Sequence, residues 1–165
     1  MKVTVVGTAS LRLRRRHSCV VVETGTETLV FDLGFRAVRG MRRAGIYPLG
    51  VDRVFFTHFH GDHTVDVVPF LFWRRFRAGG MARDMGRDAR SQPLFISGPE
   101  PFLRFWRSRS WGKWLLSSLS AEVFELPRKH GGPLELPGCN LTWAPSDHRP
   151  ESIAYRLDSE LGSFV

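Results

Sequence analysis

The sequence predicts a single α+β domain over residues 1–165, and three observations carry that expectation. Short apolar, β-branched runs recur at 2–6, 19–23, 29–32, 51–56, 94–97, 121–126, 140–144 and 152–157. Helical patterns lie between them at 35–44, 70–77 and 100–119, apolar on one side and arginine-bearing on the other. Of 165 residues 42 % are hydrophobic, enough for one core, and no internal repeat interrupts the pattern. No apolar run approaches the roughly eighteen residues that a membrane-spanning helix needs.

Taken in order, strand 2–6 closes in the small-residue loop Gly7-Thr8-Ala9-Ser10, and 12–17 reads as a basic, flexible segment. His17 is expected to be a surface or loop histidine. Strands 19–23 and 29–32 flank Thr24-Gly25-Thr26-Glu27, a hairpin turn. Asp32 is either a turn cap or a partner for an imidazole's second nitrogen. Helix 35–44 stops at Gly45, and a loop at 46–50 leads into strand 51–56. Residues 65–68 make a helical turn, and Pro69 marks the first position of a fresh helix. Its Phe70, Leu71, Phe72, Trp73 and Phe76 are expected in the core.

Residues 78–92, rich in Gly, Arg and Asp, read as an exposed flap or insertion. In 100–119, Phe102, Phe105 and Trp106 alternate with Arg104, Arg107 and Arg109. That interleaving can stack bases, but an amphipathic helix packing its aromatics inward gives the same pattern, and the second is expected. His130, in a Gly-rich turn, is expected to be exposed.

The chemistry concentrates in Thr57-His58-Phe59-His60-Gly61-Asp62-His63-Thr64, at the end of a buried-type strand. Residues two apart in an extended loop point the same way, so His58 and His60 can converge while Phe59 packs elsewhere. Gly61 lets the backbone bend, and Asp62 with His63 then approaches from a second direction. Imidazole and carboxylate are the ligands a zinc-type ion takes. A core has little use for four such groups together, because each buried polar group needs a partner. A second polar cluster, Pro145-Ser146-Asp147-His148, also follows an apolar run. By itself His148 is either a loop histidine or the one further imidazole that a three-histidine site requires.

The formal charge of +8 is carried almost wholly by arginine, which suits an anionic substrate or nucleic acid. Arginines scattered over solvated helical faces and loops produce the same excess. The N-terminus is too short and strand-like for a signal peptide, so the expected setting is cytoplasmic. Cys19 and Cys139 are then reduced thiols that serve as small core residues.

The His58–His63 motif, Phe31-Asp32-Leu33-Gly34 and the region around His148 resemble the metallo-β-lactamase superfamily, along the whole chain. The Gly7-Thr8 loop and the lack of a leader are most similar to its ribonuclease Z and phosphodiesterase-like branch. The resemblance implies an αββα sandwich with two zinc ions in a complete site, of which this chain is expected to hold one tightly. It implies His58, His60 and His148 as ligands of the first metal, with Asp62 and His63 serving the second. Asp62 would also orient or deprotonate the nucleophile, and Asp32 would support the metal loop. The bridging aspartate and final histidine of relatives lie beyond Val165. The sandwich is therefore expected to be incomplete at the C-terminus, as the N-terminal part of a longer domain.

The expected function is a zinc-dependent hydrolase using a metal-activated water on phosphodiesters, RNA among them. The contrasting reading is a non-catalytic metal-binding or interaction protein. Partners are an anionic small molecule or RNA, with no membrane. An incomplete second sheet, leaving an apolar face and a free edge, would favour a homo-oligomer.

Overall fold

The computed structural model describes residues 1–10, 15–76, 93–108, 121–148 and 151–165. One sheet has six strands in the order β1 (Lys2–Gly7), β2 (Cys19–Glu23), β3 (Thr28–Phe31), β4 (Arg53–Phe55), β5 (Leu94–Pro99), β6 (Ala121–Leu126). β1 to β3 pair antiparallel, whereas β3 to β6 run parallel. A second sheet is an antiparallel meander of β7 (Gly131–Leu136), β8 (Cys139–Ser146), β9 (Ser152–Ser159) and β10 (Gly162–Phe164). The helices are α1 (Ala37–Arg43), α2 (Gly61–Thr64), α3 (Val67–Phe76) and α4 (Phe102–Arg107).

Parallel strands are buried on both faces, so their sequences are continuously apolar and alternate residues serve two cores. Val30, Val54 and Ile96 pack outward against Met41 of α1, Phe70 and Leu71 of α3, and Phe102 and Trp106 of α4. Leu29, Phe31 and Phe55 face inward onto Leu141, Tyr155 and Leu157 of the second sheet. Phe31, Phe55 and Tyr155 form a ring cluster with centroids 5.3–5.6 Å apart. Each such buried side chain contributes about 1.5–3 kcal/mol, so the two clusters fix the stacking of the sheets.

The α+β reading holds, with helix, sheet and sheet as successive layers. Among the described residues no helix covers the far face of the second sheet. On that face Asn140, Ala154 and Arg156 point outward beside buried Leu141, Tyr155 and Leu157. The apolar exposure expected of an incomplete second sheet lies on β1, where Val3 and Val5 are exposed on the side they share with Val22 and Val20 of the inner cluster. Strand β7 was not foreseen, because Gly131, Gly132 and Pro133 at its start read as a turn. Pro69 is the third residue of α3 and not its first; it still lies in the first turn, whose N–H groups have no helical acceptor. Phe70 and Leu71 are core residues, but Phe72 is exposed. The segments expected as a flap (78–92) and as the later part of a helix (109–119) lie outside the described residues.

Arg74 corrects the view of arginines as surface charges. Its side chain is buried, and Nη1 donates to the carbonyls of Pro48 (2.9 Å) and Val51 (2.6 Å). Burial lowers its pKa to about 10 against the pull of Asp52. The guanidinium thus ties α3 to the turn that delivers β4. Arg74→Ala is expected to destabilise the fold by about 3 kcal/mol, since buried carbonyls lose a charged donor. Arg74→Lys should recover only part, because an ammonium lacks the planar fork. Denaturant titration measures both, and an unchanged midpoint for Arg74→Ala would refute the role.

Candidate metal centre

Strand β4 ends at Phe55, and the chain runs on extended as far as His60 (φ −62°, ψ 149°), then turns into α2. The extended stretch sets His58 and His60 on one side, and α2 brings Asp62 and His63 back over it. The second sheet anchors this stretch. Ile153 N–H donates to the Thr57 carbonyl (3.0 Å), and the Tyr155 hydroxyl donates to that of Phe56 (2.8 Å). His148 follows β8 in a tight turn. Its N–H donates to the Ser146 carbonyl (2.9 Å), and its carbonyl accepts from Ser152 Oγ (3.1 Å).

Three imidazoles converge. His60 Nδ1 lies 3.1 Å from His58 Nε2 and 3.4 Å from His148 Nε2, and the three candidate ligand atoms all fall within 4.8 Å of one another. Nitrogens about 2.0–2.1 Å from one tetrahedral ion stand about 3.3–3.4 Å apart. Two of the contacts are close to that spacing, so the cluster could hold a metal ion. Beside them, His63 Nε2 stands 4.0 Å from Asp62 Oδ2, and the His63 ring lies 4.0 Å from that of His58.

Asp32 organises the far side of these rings. His63 Nδ1–H donates to Asp32 Oδ2 (2.6 Å), Thr57 N–H to Oδ1 (2.9 Å), and Ser18 Oγ to Oδ2 (3.1 Å). Thr57 Oγ1 lies 3.0 and 3.1 Å from the two carboxylate oxygens, so it donates to Asp32 and accepts from His58 Nδ1–H (2.9 Å). Both rings are held in the tautomer that leaves Nε2 free as a ligand. Asp32 sits at φ 62°, a left-handed conformation that aspartate tolerates and these partners stabilise.

Electrostatics follow from the same contacts. Burial foremost, then the neighbouring His63, His60 and His148 rings, outweigh the charge of Asp32 and hold the His58 pKa down to about 4. His58 is therefore neutral at physiological pH, with its lone pair available. Burial alone would also depress His63, but the hydrogen bond and charge of Asp32, with Asp62 behind, raise its pKa above the ordinary value.

Of the residues singled out in the sequence, the structure gathers His58, His60, Asp62, His63 and His148 at one site, with Asp32 behind it. His130 is exposed, as expected. His17 is not a surface histidine. It is 5 % exposed, its ring lies 5.6 Å from that of Phe35, and its N–H donates to the Phe35 carbonyl (3.0 Å). Its position after a basic run hid a role that depends on contact with a distant loop. Nor does the bend need Gly61, whose φ is ordinary and whose missing side chain faces open space. Gly34 is the glycine this site requires: a Cβ there would collide with the Asp62 carbonyl and His17 Cβ.

Thr57, Ser18 and Asp66 were missed as supporting groups. Asp66 accepts from the N–H groups of Arg36 (3.2 Å) and Val38 (3.0 Å), capping α1 from outside. The available signal was one carboxylate amid the apolar residues that follow His63, since such a group needs a partner.

The family model described as Metallo-beta-lactamase superfamily matches residues 12–133. The chain belongs to that superfamily. Among its relatives, Ribonuclease Z of Methanothermobacter thermautotrophicus is 30 % identical over 97 % of this chain and 48 % of its own length. Ribonuclease Z of Myxococcus xanthus is 30 % identical over 99 % and 50 %. The chain thus spans about half the length of the curated relatives it matches. Human tRNase Z, short form, superposes with a TM-score of 0.77 at 20 % identity, covering 99 % of this chain and 67 % of that one. The metallo-beta-lactamase fold protein YhfI of Bacillus subtilis gives 0.73 at 18 % identity, covering 98 % and 58 %. At such identities the superpositions establish the fold alone.

Proposed function

We propose that residues 1–165 are the N-terminal part of a longer metallo-β-lactamase domain, a zinc-dependent hydrolase of phosphodiesters that acts on RNA. The observation that carries this reading is the convergence of His58, His60 and His148 at metal-ligand spacing. The names of the two relatives support the choice of RNA. His58, His60 and His148 would hold the first ion, and Asp62 with His63 the second. Zinc held there supplies Lewis acidity that brings water ionisation toward neutral pH. Asp62 orients the attacking water and takes its proton, a role suited to a carboxylate beside the His63 ring. Asp32 and Thr57 fix the rings that face the substrate.

Bis-p-nitrophenyl phosphate, offered to a longer form that carries the whole domain, tests the reaction class; the 165-residue chain by itself is expected to hydrolyse it little or not at all. Asp62→Ala is expected to lower its turnover at least about a hundred-fold, the range of one lost proton-transfer group, while the three-histidine ion stays bound. Equal turnover in the variant, or cleavage confined to β-lactams or thioesters, would overturn the reading. A metal-binding protein without catalysis is the second reading. It is favoured by the second position having only Asp62 and His63 as donors among the described residues. Metal binding with no turnover in the chain and in any longer form would establish it.

Both cysteines are unpaired and buried in different clusters, which supports a reducing, cytoplasmic setting. Recovery of the protein in a membrane or secreted fraction would count against that. Among the described residues no helix is long and apolar enough to cross a membrane. Homo-oligomerisation is also part of the proposal: β1 is an edge strand with Val3 and Val5 exposed. A monomeric mass in light scattering would remove it.

A further inference from the structure

Beside the metal motif lies a cleft of about 370 Å³ lined, among the described residues, by Arg15, Arg16, Arg36, Arg39 and Arg43 alone. All five are exposed. Arg39 and Arg43 stand four residues apart along one side of α1, Arg36 sits at its N-terminal cap in a left-handed conformation (φ 63°), and Arg15 and Arg16 line the same cleft from the segment before β2. Like charges so spaced destabilise a helix by about 0.2–0.5 kcal/mol per pair, so the stripe opposes folding. Among the described residues no carboxylate pairs with Arg15, Arg16, Arg39 or Arg43. Two arginines here are accounted for in part by packing: the guanidinium of Arg42 sits 4.1 Å over the Trp73 ring and that of Arg36 4.9 Å over the Phe35 ring. The stem of Arg16 lies against Gly40, where a Cβ would stand 2.9 Å from Arg16 Cδ, so the close approach of loop and helix is built into the sequence.

We infer that this cleft is a binding site for the phosphates of an RNA backbone, separate from the metal position. Guanidinium forks match phosphate oxygens in pairs, and the cleft has room for more than a single oxyanion. Its position suits a strand that continues past the cleaved bond. Arg16 precedes His17 and Arg36 follows Gly34, and both His17 Cβ and the Asp62 carbonyl pack against Gly34. The segments that carry Arg16 and Arg36 therefore meet the metal motif at Gly34. The inference rests on the RNA reading above and adds where the rest of the strand is held.

The test is fluorescence anisotropy with a short labelled single-stranded RNA, on the full chain with chelator present so that the metal position contributes nothing. If two phosphate contacts are lost, Arg39→Ala/Arg43→Ala should lower the slope of log K against log salt by about 1.4. That corresponds to about ten-fold weaker binding at physiological salt. Arg128→Ala, a surface arginine outside the cleft, should change neither. Arg39→Lys/Arg43→Lys should recover the slope with weaker affinity, and no variant should melt below the parent, the alanine pair melting slightly above it because a like-charge pair on α1 is removed. Unchanged RNA binding in the alanine variant, or an equal loss in Arg128→Ala, would overturn the site. Inorganic triphosphate saturating the cleft where RNA does not bind would also overturn it, by making the ligand a small polyphosphate. Cleft-dependent RNA binding with no hydrolysis of bis-p-nitrophenyl phosphate by a longer form carrying the whole domain supports the site and counts against the hydrolase reading alone.

Discussion

Alanine at His58, His60 or His148 is expected to reduce zinc affinity by more than about a hundred-fold. Losing a group that merely orients a ligand already costs 10–100-fold, and a three-nitrogen site reduced to two loses a bond directly. The three variants should be nearly equivalent, because each removes one nitrogen from the same cluster. His130→Ala should leave zinc unchanged, as an exposed residue remote from the motif. His17→Ala should lower the melting temperature, since His17 is buried against Gly34 and Phe35, yet retain zinc in the folded fraction. Metal analysis of the five purified proteins reads this directly. Equal zinc in all five would show that the cluster is no site. Loss in only the His58 and His60 variants would place His148 outside it.

Asp32→Asn is expected to have the second largest effect, on both stability and the metal site. Its carboxylate is 2 % exposed and accepts from Ser18, Thr57 and His63. An amide turns one acceptor oxygen into a donor that meets other donors, so about 2–3 kcal/mol of stability should be lost. The His63 ring loses the partner that fixes its tautomer, and activity should fall 10–100-fold while the three-histidine ion is retained. Calorimetry and NMR of the imidazole resonances test the two parts separately. An unchanged melting temperature with unshifted His63 signals would remove Asp32 from this role.

The two effects differ in how far they could be read from the chain. His58, His60, Asp62 and His63 are neighbours in sequence, and their convergence follows from a strand end, two alternating positions and one helical turn. Asp32 showed a choice between turn cap and imidazole partner. The structure resolves it, because parallel pairing of β3 with β4 sets the Asp32 carboxylate beside Thr57. His148, 88 residues beyond His60, was open until β8 and β9 carried it across. The arginine cleft had a legible half, the spacing along α1. Its other half, Arg15 and Arg16, reaches it only through packing against Gly40.

The sequence alone determined what short-range chemistry can determine: alternating apolar runs that make strands buried on both faces, the helix periods, and a local donor set suited to a metal. Tertiary structure decided everything that depends on contact between distant segments. It buried His17 and Arg74 despite their polarity, made Asp66 the cap of a helix it precedes nowhere in sequence, and brought His148 to the other imidazoles. The physical reason is that a polar side chain's environment is set by what folds over it. Strand pairing and sheet stacking choose those neighbours across many tens of residues, beyond the reach of any local pattern.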